Sequence, residues 1–204
     1  MKNLFLITFI IAASVCYSQE NDKPESSWDL NTSLYFYLIP EDFFLLPIVK
    51  ADKDELHLEA RYNYEDSETF SGWLGYNFFT GGKFEVAFTP MIGGIFGQSN
   101  GIAPGMELDL IYENFEFYTE AEYFFNFEDG TANFFYLWSE LTYSPLDWLW
   151  FGIVGQRTRV YQTELEIQRG LLIGAAYEDW EFGGYVFNIF NDDPFVVLSL
   201  AKNF

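Results

Sequence analysis

The stretch ELHLEARYNYED, residues 55–66, holds the chain's single histidine, His57, between Glu55 and Glu59, with Arg61 two residues further on. A histidine flanked by carboxylates can be oriented as a general base, and it then needs a nucleophile or an activated water within reach. No serine, cysteine or aspartate partner stands at an identifying spacing, so ordinary hydrogen bonding is the plainer reading of His57. Arginine beside glutamate offers a second chemistry. A guanidinium binds carboxylates through two N–H groups at once and can hold a buried charge network together. One histidine, and one cysteine at Cys16, argue against a transition-metal site, and neither metal nor other cofactor is expected from the sequence.

These residues must be positioned by strands. Leu56, Leu58, Ala60, Tyr62 and Tyr64 share one phase of the stretch, and Glu55, His57, Glu59, Arg61 and Asn63 the other. A period of two means a strand with one dry and one wet face. In a soluble sheet the charges would face solvent. In a membrane barrel the leucines would face lipid and the charges a lumen. The alternation recurs at 83–95, 104–112 and 115–126. In the last, Phe115, Phe117, Thr119, Ala121, Tyr123 and Phe125 oppose Glu116, Tyr118, Glu120, Glu122, Phe124 and Asn126. The run 148–158, WLWFGIVGQRT, is apolar on both phases and leaves its register open.

From Trp28 onward the chain reads as strand after strand, at 28–39, 43–51, 55–65, 69–79, 83–95, 104–112, 115–126, 133–143, 148–158, 165–177, 180–190 and 194–204. That makes about twelve, or ten if 28–39 or 43–51 pairs poorly. Short turns (ADKD, TGG, YEN, SPLD, YED) mostly alternate with longer loops (EDSET, FGQSNGIA, FEDGTAN, RVYQTE). Aromatic residues gather near strand ends, among them Trp28, Tyr62, Tyr64, Phe70, Phe84, Phe96, Trp148, Tyr177, Phe195 and Phe204. Lys50, Lys53, Lys83 and Lys202 fall at the short-turn end. The glycine-rich pieces IGGIFG and EFGG lack the lysine and following helix of a phosphate loop and fit bends or crowded positions in strands.

Composition narrows the partners. The net charge is −21, from 31 acids against 10 bases, which argues against nucleic acid. Hydrophobic residues at 50% and aromatics at 22% exclude a disordered acidic chain. The first residues, MKNLFLITFIIAASVCYSQ, combine Lys2, an apolar run from Leu4 to Ala13 and small residues ending at Ser18. They read as a secretory signal peptide over 1–18, followed by a polar linker over 19–27. Val15 before Cys16 argues against lipidation, and cleavage after Ser18 removes the only thiol.

With these features the chain over 28–204 resembles the Gram-negative outer-membrane β-barrel proteins, porin-like in kind. The resemblance rests on the signal peptide, the alternating strands, the loop asymmetry and the last segment, PFVVLSLAKNF. That segment ends in Phe204, with Val196, Leu198 and Leu200 at every second position behind it, and Lys202 departs from the family's preference there. The strings LHLEARYNYED and IQRGLLIGAAY also resemble a family of secreted bacterial proteins to which no activity attaches.

The resemblance implies an all-β fold, an antiparallel up-and-down transmembrane barrel in the outer membrane, with lipid and lipopolysaccharide around it. It also implies recognition of the C-terminal strand by the barrel assembly machinery. Leucines then point into lipid and charges line an interior. Candidates for that lining are His57, Glu59, Arg61, Glu107, Glu120, Glu122, Arg157, Arg159 and Arg169, with the arginines towards the long-loop mouth. The lining is either a structural salt-bridge network or a constriction that selects or binds a solute, and its acidic excess favours small cations. The expected role is a narrow channel or solute-binding barrel without enzymatic activity. Two alternatives stand beside it, a barrel hydrolase of lipid or peptide using His57, and a soluble periplasmic carrier. The acidic loops read as a solvated rim.

Overall fold

The computed structural model describes residues 27–40, 42–158, 166–190 and 193–204. It is a closed antiparallel barrel of twelve staves. The strands are β1 (Asp29–Ile39), β2 (Asp42–Lys53), β3 (Leu56–Tyr62), β4 (Thr69–Tyr76), β5 (Phe78–Thr80), β6 (Phe84–Gly97), β7 (Gly101–Tyr112), β8 (Phe115–Asn126), β9 (Phe134–Leu146), β10 (Leu149–Arg157), β11 (Gln168–Tyr177), β12 (Trp180–Phe187) and β13 (Phe195–Asn203). β4 and β5 form one stave, interrupted at Asn77, and both pair with β6.

Each stave pairs with its sequence neighbours. The barrel closes where β1 meets β13, from Asn31 opposite Asn203 to Leu38 opposite Val196. Closure removes the unpaired edges that an open sheet would expose. The first two strands pair fully, from Asp29 opposite Asp52 to Ile39 opposite Asp42, which sets the number at twelve rather than ten. Among the described residues the only helical turn is a 3₁₀ turn at Gly130–Ala132.

The outward face carries the apolar phase. Leu56, Leu58 and Leu74 on β3 and β4, Ile92 on β6, Ile153 on β10, Leu171 and Ile173 on β11 and Leu198 on β13 are all exposed. Exposing so continuous an apolar belt to water is costly, and a belt of this kind suits a lipid surround. Aromatics flank the belt at the strand ends, including Phe43, Phe70, Phe96, Phe84, Phe115, Trp148 and Phe204. Lys202 lies over the rings of Trp180 and Phe204, 5.0 and 4.7 Å from their centroids, as snorkelling cations do at an interface.

Two members of the expected girdle lie inside instead. Tyr64 and Phe195 are 6% and 5% exposed. Phe195 takes the inward phase of β13 and stacks on Phe187. Tyr64 turns in because the alternation stops at Asn63, which holds a left-handed φ of 59°. The Asn63 side chain fixes that bend, donating to the Leu45 carbonyl at 2.9 Å and accepting from the Glu68 N–H at 2.8 Å. The bend also buries Glu65 completely, so the EDSET loop is not wholly a solvated rim.

β10 settles its register with Val154, Gln156 and Thr158 inward and Phe151 and Ile153 outward. Some inward positions must be glycine. A Cβ on Gly93 would stand 2.5 Å from the Trp73 indole, and one on Gly174 2.1 Å from Trp150. Two indoles thus lie flat against the inner wall.

Candidate functional site

The alternation of β3 sends His57, Glu59 and Arg61 into the lumen, where they are 2%, 5% and 1% exposed. The facing wall, β7 and β8, presents Glu107, Glu120 and Glu122. Arg61 spans the gap. Its Nη2 lies 2.8 Å from Glu59, and its Nη1 lies 2.5 Å from Glu120 and 3.1 Å from Glu122. The guanidinium sits between two rings, 4.3 Å from the Tyr64 centroid and 4.5 Å from that of Trp73. A planar cation with a fork of donors suits this combination of carboxylates and ring faces, and a lysine could not satisfy all of it.

A second bridge runs from β2 to β7, where Lys50 pairs with Glu107. Lys50 also lies 5.9 Å from the Tyr118 ring centroid. The Tyr118 hydroxyl donates at 3.1 Å to Glu107, and it lies 3.3 Å from Glu120. Above the bridges, Glu65 accepts from the Ser71 hydroxyl at 2.5 Å and the Trp73 indole N–H at 3.2 Å. Glu65 stands in the loop after β3, and burial pushes its carboxyl above the ordinary 4.5, with Arg61 opposing the shift.

His57 is gripped from below. Its Nδ1 lies 2.8 Å from Asp52 Oδ1. Asp52 accepts from Asn77 at 2.6 Å, and Asn77 accepts from the Thr89 hydroxyl at 2.6 Å. The interruption between β4 and β5 is what turns Asn77 inward. His57 Nε2 lies 3.5 Å from Glu59. Both ring nitrogens therefore face carboxylates, and among the described residues no serine or threonine hydroxyl is bonded to the imidazole as a nucleophile would be.

The structure thus brings together His57, Glu59, Arg61, Glu107, Glu120 and Glu122. It does not bring in the other arginines. Arg157 and Arg169 occupy the outward phases of β10 and β11, because Gln156 and Gln168 take the inward ones and bond to each other at 2.5 Å. Arg157 donates instead to the Phe135 carbonyl, and the expectation that both line the lumen is corrected. Arg159 lies outside the described residues.

Sequence reasoning missed Lys50, Asp52 and Glu65 as partners in the cluster. Lys50 shares the inward phase with Leu46 and Ile48, whose apolar character hides that phase. Asp52 sat in a segment read as a turn, and Glu65 in one read as a loop.

Towards the long loops the lumen is filled. Phe124, Phe134, Phe187 and Phe195 are buried there. Rings meet across the barrel, with Tyr64 on β3's end 4.9 Å from Tyr136 on β9. Towards the short turns a cavity of about 660 Å³ remains. Its walls carry Tyr35, Tyr118, Trp138, Trp150 and Tyr185, with the carboxylates of Asp109, Glu116, Glu140, Asp147 and Glu181 and the Lys50 ammonium. It is an acidic vestibule with aromatic walls, closed at its inner end by the Arg61 bridge and the ring layer.

No family model matches the chain, and no curated protein matches it. Solved structures do. The chain is similar to a KdgM porin with a TM-score of 0.61 and 11% identity over 86% of this chain and 99% of that one. It is similar to the KdgM porin in complex with disordered oligogalacturonate with a TM-score of 0.57 and 10% identity over the same shares. At these identities the likeness is one of fold: the chain is a closed antiparallel β-barrel with the architecture of those porins.

Proposed function

We propose that this chain is an outer-membrane barrel of a Gram-negative bacterium that admits small cationic solutes into its acidic vestibule, with the Arg61 bridge as the constriction. The belt of exposed leucines and isoleucines supports a lipid surround. The closing strand β13 serves in this reading as the strand recognised by the barrel assembly machinery, and lipopolysaccharide surrounds the outer rim. No hydrolytic chemistry is assigned, since His57 has carboxylates at both nitrogens.

The observation that carries the solute class is the charge of the vestibule. Asp109, Glu116 and Glu140 face it, and Lys50 is the cation at its inner end. The neighbouring porin is known in complex with an oligogalacturonate, a polyanion. A polyanion would meet like charge here, where carboxylates outnumber ammonium groups and the low-dielectric wall strengthens repulsion. Aromatic walls beside carboxylates suit a cation, which gains from both.

Planar-bilayer recording under a salt gradient tests this. The expected reversal potential lies on the cation side, and glutamine at Glu116 and Glu140 together moves it towards zero. Anion preference in the wild type would overturn the solute class. A folded barrel that stays in solution without detergent would overturn the membrane reading.

A further inference from the structure

Four carboxylates, Glu59, Glu107, Glu120 and Glu122, meet two cations, Lys50 and Arg61, in the bridged part of the lumen. Asp52 beside His57 adds a fifth carboxylate, so the acids outnumber the cations, and buried charge needs compensation. The position where a dication would sit is defined by side chains from β3 and β7. Ligand atoms of His57, Glu59 and Glu107 lie within 4.8 Å of one another. Two of the atoms there are buried without a hydrogen-bond partner, His57 Nε2 and Glu59 Oε1, on side chains at least nine-tenths buried.

The surroundings of His57 match what a metal-ligating histidine requires. Such a histidine gives its other ring N–H to a carboxylate, which fixes the tautomer and raises the basicity of the ligating nitrogen. Here Nδ1 is held by Asp52, and Asp52 is held in turn by Asn77 and Thr89. With the ring proton on Nδ1, that chain points Nε2 at Glu59, 3.5 Å away. An unprotonated Nε2 facing a carboxylate is repulsive unless a proton or a metal ion lies between them, and the two carboxylates beside it favour the ion when one is supplied.

We infer that His57, Glu59 and Glu107 form a binding site for one divalent first-row transition-metal ion, oriented by Asp52. One imidazole with two carboxylates suits zinc, manganese or iron(II) rather than calcium or magnesium, which prefer oxygen alone. Lys50 is the competitor, because its ammonium occupies Glu107 and must swing into the vestibule that it already lines for the ion to enter. The site goes beyond the solute reading, and a failure of one leaves the other standing.

The test uses the full barrel refolded in detergent, without a polyhistidine tag and with ¹⁵N-labelled imidazole, and zinc alone as probe. The chain has one histidine, so the imidazole spectrum reports a single residue. One equivalent of zinc is expected to move the Nε2 resonance while Nδ1 keeps its proton. Calorimetry should find one tight ion per barrel. That affinity falls about tenfold or more in His57→Gln and about 10- to 100-fold in Asp52→Asn, and it rises in Lys50→Met, which loses the competing ammonium. Heat-modifiable gel mobility confirms that each variant folds, and the wild-type spectrum needs no variant. An Nε2 resonance unmoved by stoichiometric zinc overturns the site. So does an imidazole protonated on both nitrogens with zinc present, since a proton then fills the gap. Zinc affinity unchanged in His57→Gln would place the ion on surface carboxylates and would equally end the proposal.

Discussion

Arg61 is held by three carboxylates and two ring faces, and nothing at its position can be removed singly without leaving buried charge behind. Breaking a buried ion pair by deleting one member costs about 3–5 kcal/mol, because the remaining charge keeps its desolvation penalty. Arg61→Met should therefore destabilise the barrel by about that much, measured by urea unfolding in detergent micelles, and Arg61→Lys by less. Equal stability of Arg61→Met and wild type would mean the carboxylates are neutralised by other means. Glu65 makes the opposite case. Its raised carboxyl keeps its proton in the folded barrel at a pH where the unfolded chain has released it. Folding then takes up a proton, and Glu65 makes stability fall as pH rises above the ordinary carboxylate value. Glu65→Gln keeps an acceptor for Ser71 and Trp73 and removes that slope. Its stability relative to wild type should rise with pH, read from unfolding midpoints at acid and neutral pH. A flat difference would show that Glu65 is ionised in both states.

The strands themselves were legible because a half-buried strand must alternate. β3, β6, β7 and β8 each carry carboxylates on one phase and large apolar groups on the other, and that pattern named Glu59, Arg61, Glu107, Glu120 and Glu122 as inward-facing. It failed where the inner wall is itself apolar. On β2, Leu46 and Ile48 pack inside next to Lys50, so no polarity contrast marks the phase. On β10 and β11 the inward polar residues are Gln156 and Gln168, and the conspicuous arginines beside them face out. It also failed where backbone geometry breaks the period, as at Asn63. The bend there needs φ of 59°, which asparagine tolerates better than a residue without a short polar side chain. Asn63→Ala loses the tolerance and both side-chain hydrogen bonds, and should cost about 1–3 kcal/mol. Asn63→Gly keeps the conformation and should cost less. If the two variants unfold at the same denaturant concentration, the conformational part of the explanation is wrong.

At the scale of the whole barrel, pairings across the lumen decide whether it conducts. Such pairs join residues far apart in sequence, Arg61 with Glu120 and Tyr64 with Tyr136, and neither spacing nor composition announces them. A barrel of this strand number lies between those filled by their own side chains and those with an aqueous channel. The ring contact between Tyr64 and Tyr136 at 4.9 Å and the Arg61 bridge below it place this one nearer the filled end. Wild-type conductance should therefore be small. The ring layer and the ion bridge are separable obstacles, because the first blocks by volume and the second by charge and volume together. Truncating both tyrosines to alanine leaves every lumen carboxylate in place, so conductance should rise while selectivity stays with cations. Single-channel recording of Tyr64→Ala/Tyr136→Ala against wild type checks both halves. A rise accompanied by loss of selectivity would mean that the rings, and not the acidic walls, discriminate between ions. No rise at all would mean that the Arg61 bridge seals the lumen alone, in which case adding Arg61→Ala to the double variant must open it.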